Sequence, residues 1–571
     1  MKAKISILIV AFIIFNTSVS FTQHEMSKKK SKDKNPAVLI PGLGALHHEV
    51  TTKNKQAQKF FDQGLTLIYA FNHNEAVRSF KKAAQLDPDM AMAYWGIAYA
   101  LGPNYNLPAD DVQRKQAYNA LKKAMKHSKH SSQKEQDYIY ALSKRYKKDL
   151  SISQSISDAQ FRTAMKQLKD KYKDDLNAAT LYAESMMVLK PWQLWNKDGT
   201  PAEGTEEIIS VLEYVIKRDP DHPGANHYYI HAVEASNDPG KALNSAEVLK
   251  DLIPAAGHLV HMPAHTYFRI GDYEGASLAN VNAINADESY IKKYKPEGIY
   301  PIMYYNHNVN FLSVSRMMEG NFTDAMKYAK QIEDNVRPVV KDMQMLEIFN
   351  SNPLMILISF EKWDDILNFP KPPDGLDLSK AMWHFARGIA LAIPGKTTEA
   401  TNELNEFIKL KSKVPLEAVF GYNSGKTILD LSDAILSANI AAHSDKLIEA
   451  LDHFDRAISI EDALNYDEPP DWYPSVRLNL GKVLYTAGKY DEAERVFRDD
   501  LKKYPHNGRG LFGLYESLKA QNKTEEASNI YTKFQAAWKN ADTELILLFL
   551  YQAHYKSSVK QIPIQEYQIP K

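Results

Sequence analysis

The feature that most constrains this chain is a spacing that returns. Gly64, Ala76, Phe80, Ala83 and Pro88 are separated by 12, 4, 3 and 5 residues. Gly481, Ala493, Phe497 and Pro505 repeat the pattern, with Gly488-Lys489-Tyr490 between them. Counted from Ala57 and Pro474, these residues fall at positions 8, 20, 24, 27 and 32 of a 34-residue unit. Partial sets occur at Ala242, Leu249 and Pro254, and at Ala276 and Ala283 after Gly271-Asp272-Tyr273. Others are Ala325, Ala329 and Ile332; Ala400, Leu404 and Phe407; Ala450, Phe454 and Ala457; and Ala527 and Tyr531. Small residues at 8, 20 and 27 let two antiparallel helices approach closely. A large residue at 24 fills the space toward the next helix, and proline near 32 ends the second helix. Each helix pair leaves an apolar face that only its neighbour can cover, so the pairs must stack. The expected fold is an all-α solenoid of about nine antiparallel helix pairs.

These residues resemble the tetratricopeptide repeat, most strongly in the units that begin at Ala57 and Pro474. The resemblance implies a solenoid over 56–541, closed by a capping helix and tail over 542–571. It also implies that positions 2, 5 and 9 of each first helix line a concave groove that holds protein or peptide ligands. The stretch around 222–290 is similar to a group of exported bacterial repeat proteins, a likeness that implies no particular activity. The region 91–130 is stretched, with 19 residues from Ala98 to Ala117 where 12 are expected.

The N-terminus reads as an address. Lys2 and Lys4 precede an apolar run from Ile5 to Phe15, then Ser18-Val19-Ser20. That is the layout of a secretory signal peptide over 1–20, with the mature chain in the periplasm or secreted and no transmembrane span left after cleavage. A charged linker is expected over 21–55. Lys plus Arg and Asp plus Glu both number 70, so no basic excess points to nucleic acid. The absence of cysteine excludes disulfides, thiolate metal sites and a lipid-modified N-terminal cysteine. The run Gly421–Thr427 imitates a phosphate loop but has three residues between its glycines where that loop has four, so it reads as a connection between repeats.

The sharp anomaly is histidine. Seven of the 18 lie between 222 and 307: His222, His227, His231, His258, His261, His265 and His307. His227 and His261 are 34 apart, as are His231 and His265, which puts each pair at positions 5 and 9 of adjacent units. Residues at i and i+4 share a helix face. His258 and His307 both take position 2. Glu234 follows on the same helix as His231, and Glu184 lies on a preceding one. An insertion over 190–204 carries Trp192 and Trp195 and is placed to cover the groove. Pro263 interrupts the helix expected around it, leaving His258 and His261 on a turn.

Three readings are open at this level. The imidazoles, with a carboxylate, bind a divalent metal of zinc or copper type, His227, His231, His261 and His265 foremost. Alternatively they bind a polar ligand without metal, helped by Tyr228, Tyr229, Tyr267 and Arg269. In the third, they are satisfied structural residues. The overall reading is an exported repeat protein that binds a protein, peptide or glycan ligand in an accessory role outside the cytoplasm. Two alternatives stand beside it. One is a metal-dependent enzyme using the 227–265 histidines, and the other a soluble accessory protein of polysaccharide binding or degradation.

Overall fold

The computed structural model describes residues 37–545. The signal segment, the basic stretch that follows it, and the tail beyond 545 lie outside the described residues. The described chain is helical nearly throughout. Its sheet is one two-stranded hairpin, Val419–Phe420 with Asn423–Ser424, inside the phosphate-loop look-alike. That hairpin leads into the helix Gly425–Ala442, whose N-cap is Ser424.

The chain forms two compact units, one of residues up to 269 with 275–311, the other of 270–274 with 312 onward. In the first, helix pairs follow the repeat frame: Lys55–Tyr69 with His73–Leu86, Leu176–Met187 with Thr205–Arg218, and Pro223–Val233 with Leu243–Leu252. The stretched region is a ten-residue connection, 101–110, between Ala91–Ala100 and Asp111–His127. In the second unit the frame runs to Val476–Thr486 with Tyr490–Lys503 and Gly508–Ala520 with Thr524–Ala537.

The small positions do what their spacing demands. Ala76, Ala276, Ala325, Ala400, Ala450 and Ala493 are all fully buried. A Cβ on Gly64 would lie 2.6 Å from the Phe80 ring, and one on Gly96 2.4 Å from it. Gly481 and Gly513 hold Phe497 in the same way, at 2.6 and 2.4 Å. Position 24 is thus an aromatic ring packed against glycines of two successive first helices. Tyr531, the equivalent residue of the last described hairpin, is 39% exposed.

A further regularity sits at position 15, where the chain turns between the helices of a pair. Gly271, Gly320, Gly395 and Gly488 all have positive φ there. Asn522, Asp445 and Glu361 adopt the same left-handed conformation, and so does Phe71, at φ 53°. An aromatic residue in this conformation costs roughly 1–2 kcal/mol.

The two ends of the described chain are tied down by packing and hydrogen bonds. Residues 37–54, read as part of a linker, are packed: Ile40, Leu43 and Val50 are buried. The Ile40 amide donates to Gln63 Oε1 at 2.7 Å, and Thr51 N donates to Glu135 Oε1 at 2.7 Å. The apolar residues just before the first helix give it a surface that the charged stretch alone would not. At the other end, the capping helix expected over 542–571 falls almost wholly outside the described residues. Asp542 accepts from Phe322 N at 2.7 Å and Thr323 N at 2.9 Å, capping the helix Phe322–Val336.

Candidate metal centre

The site is built by the helix Pro223–Val233, the next first helix, and the one that opens at Tyr304. The first begins cleanly: Pro223 takes an early helical position, and His222 caps it by accepting from Ala225 N at 3.1 Å. His222 is therefore a structural histidine. Pro263 does break the second element, but not into a turn. Gly257–His261 is a short helix, and Pro263–Ile270 continues beyond Met262. His258, His261 and His265 stay on a helical path and keep their register with the preceding unit.

The register brings six histidines together. His227, His231, His258, His261 and His265 are at most 1% exposed, and His307 is half-buried. Nε2 of His258 and Nε2 of His227 are 3.2 Å apart. Nε2 of His261 lies 2.9 Å from Nε2 of His265 and 3.1 Å from Nε2 of His307. The rings of His231 and His265 meet edge to face at 5.3 Å. These side chains are buried inside the unit, with His307 the most exposed of the six. Adjacent first helices close over them because aromatic side chains fill the space between.

Each of four rings has its Nδ1 held by an acceptor. His227 Nδ1 meets the Tyr69 carbonyl at 2.6 Å. His231 Nδ1 meets Glu234 Oε1 at 2.7 Å, and His265 Nδ1 meets Glu234 Oε2 at 2.5 Å. His261 Nδ1 meets Asn280 Oδ1 at 2.7 Å; the Asn280 amide nitrogen donates to Ala276 O at 2.8 Å, which fixes its orientation. Carbonyl and carboxylate oxygens only accept, so all four Nδ1 atoms carry the proton. Burial holds His227, His258 and His261 well below the usual imidazole range, His307 at about 3, and His231 lowered as well. Burial also pushes on Glu234, but upward, and the adjacent His265 and His231 outweigh it and hold the carboxyl at about 2.

A neutral ring protonated at Nδ1 presents a lone pair at Nε2. With both rings in that form, His261 and His265 point two lone pairs at each other across 2.9 Å. His231 Nε2, buried as deeply, has no hydrogen-bond partner among the described residues, nor does His258 Nδ1. Imidazoles fixed at one nitrogen by an acceptor, with the other turned to a common space, are the outer-shell arrangement of a histidine metal site. Three triads have ligand atoms within 4.8 Å of one another: His227, His231 and His258; His261, His265 and His307; and His231, Glu234 and His265.

The other expected residues divide. Trp192 joins the centre: its ring meets His231 edge to face at 5.5 Å and stacks on Tyr105 at 5.1 Å. Trp195 anchors the inserted loop, donating from Nε1 to Ala232 O at 2.8 Å. Glu184 does not reach the histidines; it accepts from Tyr99 OH at 2.7 Å, and burial raises its carboxyl to about 7. It faces another side of its helix, in a network with Arg145 and Tyr99.

Tyr105, Phe71 and Asn280 were missed. Tyr105 lies on the 101–110 connection, 5.3 Å from the His231 ring. Phe71 packs at 4.5 Å on His227 and stacks on His258 at 5.3 Å. It had a signal in the sequence, an aromatic where the repeat wants glycine. Trp192, at φ 59°, is a second aromatic in the left-handed region. Two such residues against one cluster mark a place where strain is tolerated for the sake of what the rings cover.

Comparison with known proteins is informative about the repeat. Residues 478–542 match the model of the tetratricopeptide repeat. A protein of Aquifex aeolicus (strain VF5), described as an uncharacterized protein, is 42% identical over 55 residues, which is 10% of this chain and 7% of that protein. The chain thus spans a small fraction of this relative's length. Among solved structures, human IFIT1, a dimer with m7Gppp-AAAA, is 12% identical over 85% of this chain and 91% of its own, with a TM-score of 0.33. Yeast Tom70 is 12% identical over 85% and 93%, with a TM-score of 0.28. Residues 478–542 carry the tetratricopeptide repeat, and the earlier hairpins keep the same 34-residue frame.

Proposed function

We propose that this repeat protein binds metal through the Nε2 atoms of its clustered histidines. The carrying observation is the contact between His261 and His265, 2.9 Å between two nitrogens of rings held at Nδ1 by Asn280 and Glu234, which in their neutral forms turn two lone pairs toward one point. A cation placed between them turns that repulsion into ligation. All-imidazole donors suit zinc, copper, iron or nickel. Three histidines with a fourth position left for water is the ligand count of a catalytic site, so the enzyme alternative keeps support.

The repeats supply a binding scaffold, and a protein or peptide partner is the ligand class they favour. A glycan or peptide seated on the histidines is a poorer reading, because the rings are buried beneath Trp192, Tyr105 and Phe71. Export to the periplasm or beyond, in an accessory role, rests on the N-terminal signal pattern. No helix among the described residues is long and apolar enough to cross a membrane.

The test is elemental analysis of the purified full-length chain, followed by titration with zinc(II) and copper ions. The expected result is tight binding that is lost in the double variant His261→Ala/His265→Ala, with helical content retained. Wild-type protein that takes up neither metal refutes the reading.

A further inference from the structure

We infer that the histidine centre holds two metal ions, one in each of two equivalent triads that the repeat itself generates. This rests on the metal-binding reading above. The first triad is His227, His231 and His258, and the second His261, His265 and His307. In both, one first helix supplies residues at positions 5 and 9, and the next first helix supplies position 2. His261 and His265 are the 34-residue translations of His227 and His231, and His307 does for the second unit what His258 does for the first. A single ion needs only one such set.

The distances agree with two sites. Within the triads, the Nε2 atoms approach to 3.2 Å in one and to 2.9 and 3.1 Å in the other. Nitrogens bound tetrahedrally to one ion at 2.0–2.1 Å sit about 3.3 Å apart. Each triad also carries its own unmet demand. In the second it is the lone-pair contact of His261 with His265. In the first it is the buried Nε2 of His231, which has no partner among the described residues. An ion held by one triad leaves the demand of the other unmet.

Glu234 couples the sites. One oxygen holds His231 of the first triad and the other holds His265 of the second. It is the only carboxylate in the three candidate metal groups found among the described residues. Two dications would leave this largely buried space strongly positive, whereas two copper(I) ions leave a net charge of one. Burial of uncompensated charge is costly, so the charge balance favours copper(I) over a pair of zinc(II) ions.

The experiment is a metal count on the full-length chain, by titration with copper(I) held in a chromophoric chelator, with zinc(II) in parallel. Two tightly bound copper ions per chain are expected. His258→Ala and His307→Ala should each keep one ion, and the double variant none, with far-ultraviolet circular dichroism unchanged. No ion in wild type overturns the metal reading itself. One ion in wild type, retained in both single variants, overturns the pair alone and places the ion at His231, Glu234 and His265. Should a variant misfold, the wild-type count decides.

Discussion

Replacing Glu234 with Gln tests the centre through a residue that need not touch the metal. Glu234 is 1% exposed and accepts from two imidazoles, at 2.7 and 2.5 Å. A glutamine keeps one acceptor oxygen and turns an NH2 group toward the other ring. Donor then faces donor, and that imidazole can relieve the clash only by moving its proton to Nε2. The move removes a ligand lone pair, and the negative charge near the cations goes with it. Losing such an outer-shell partner costs about 10–100-fold in metal affinity. That corresponds to about 1.4–2.7 kcal/mol. Competition against a chelator of known affinity reads this directly. Glu184→Gln is the control: the same chemical change at a site 2% exposed, bonded to Tyr99, with affinity expected to stay within about twofold of wild type. Equal losses in both variants, or none in Glu234→Gln, would show that the carboxylate does not set the ring protons.

Other consequences are equally open to measurement. Gly513→Ala puts a methyl 2.4 Å from the Phe497 ring. It should destabilise the C-terminal hairpins by about 1–3 kcal/mol, seen as faster hydrogen exchange across 476–537. Burial raises Asp500 from 3.8 to about 7, so the native state holds a proton that the unfolded chain releases. Its contribution to stability is full below pH 3.8 and is lost as pH rises through about 7, so Asp500→Asn should flatten the fall of the urea midpoint across that window. Trp192→Ala should speed metal loss to a chelator while leaving the number of ions bound unchanged, because it uncovers His231. N-terminal sequencing of exported protein should begin near Phe21; an exported form that starts at Met1 contradicts the signal reading.

The helix pairs were legible because close packing is a local demand with a fixed period. Ala76, Phe80 and Ala83 recur wherever a hairpin must be covered by its neighbour, and no distant residue alters that need. The histidine register was legible for the same reason: a 34-residue offset maps one helix position onto the next unit. What the chain order does not carry is the direction each ring's protons face, or what seals the space. Tyr105 reaches His231 from a connection more than 120 residues upstream, and the Tyr69 carbonyl meets His227 across 158. Glu184 and Glu234 are both acids near helix ends, and only packing assigned one to Tyr99 and the other to two histidines. The burial of these rings is likewise absent from the repeat period. It depends on aromatic side chains brought in from separate elements, a sum over the whole unit that no repeat period encodes.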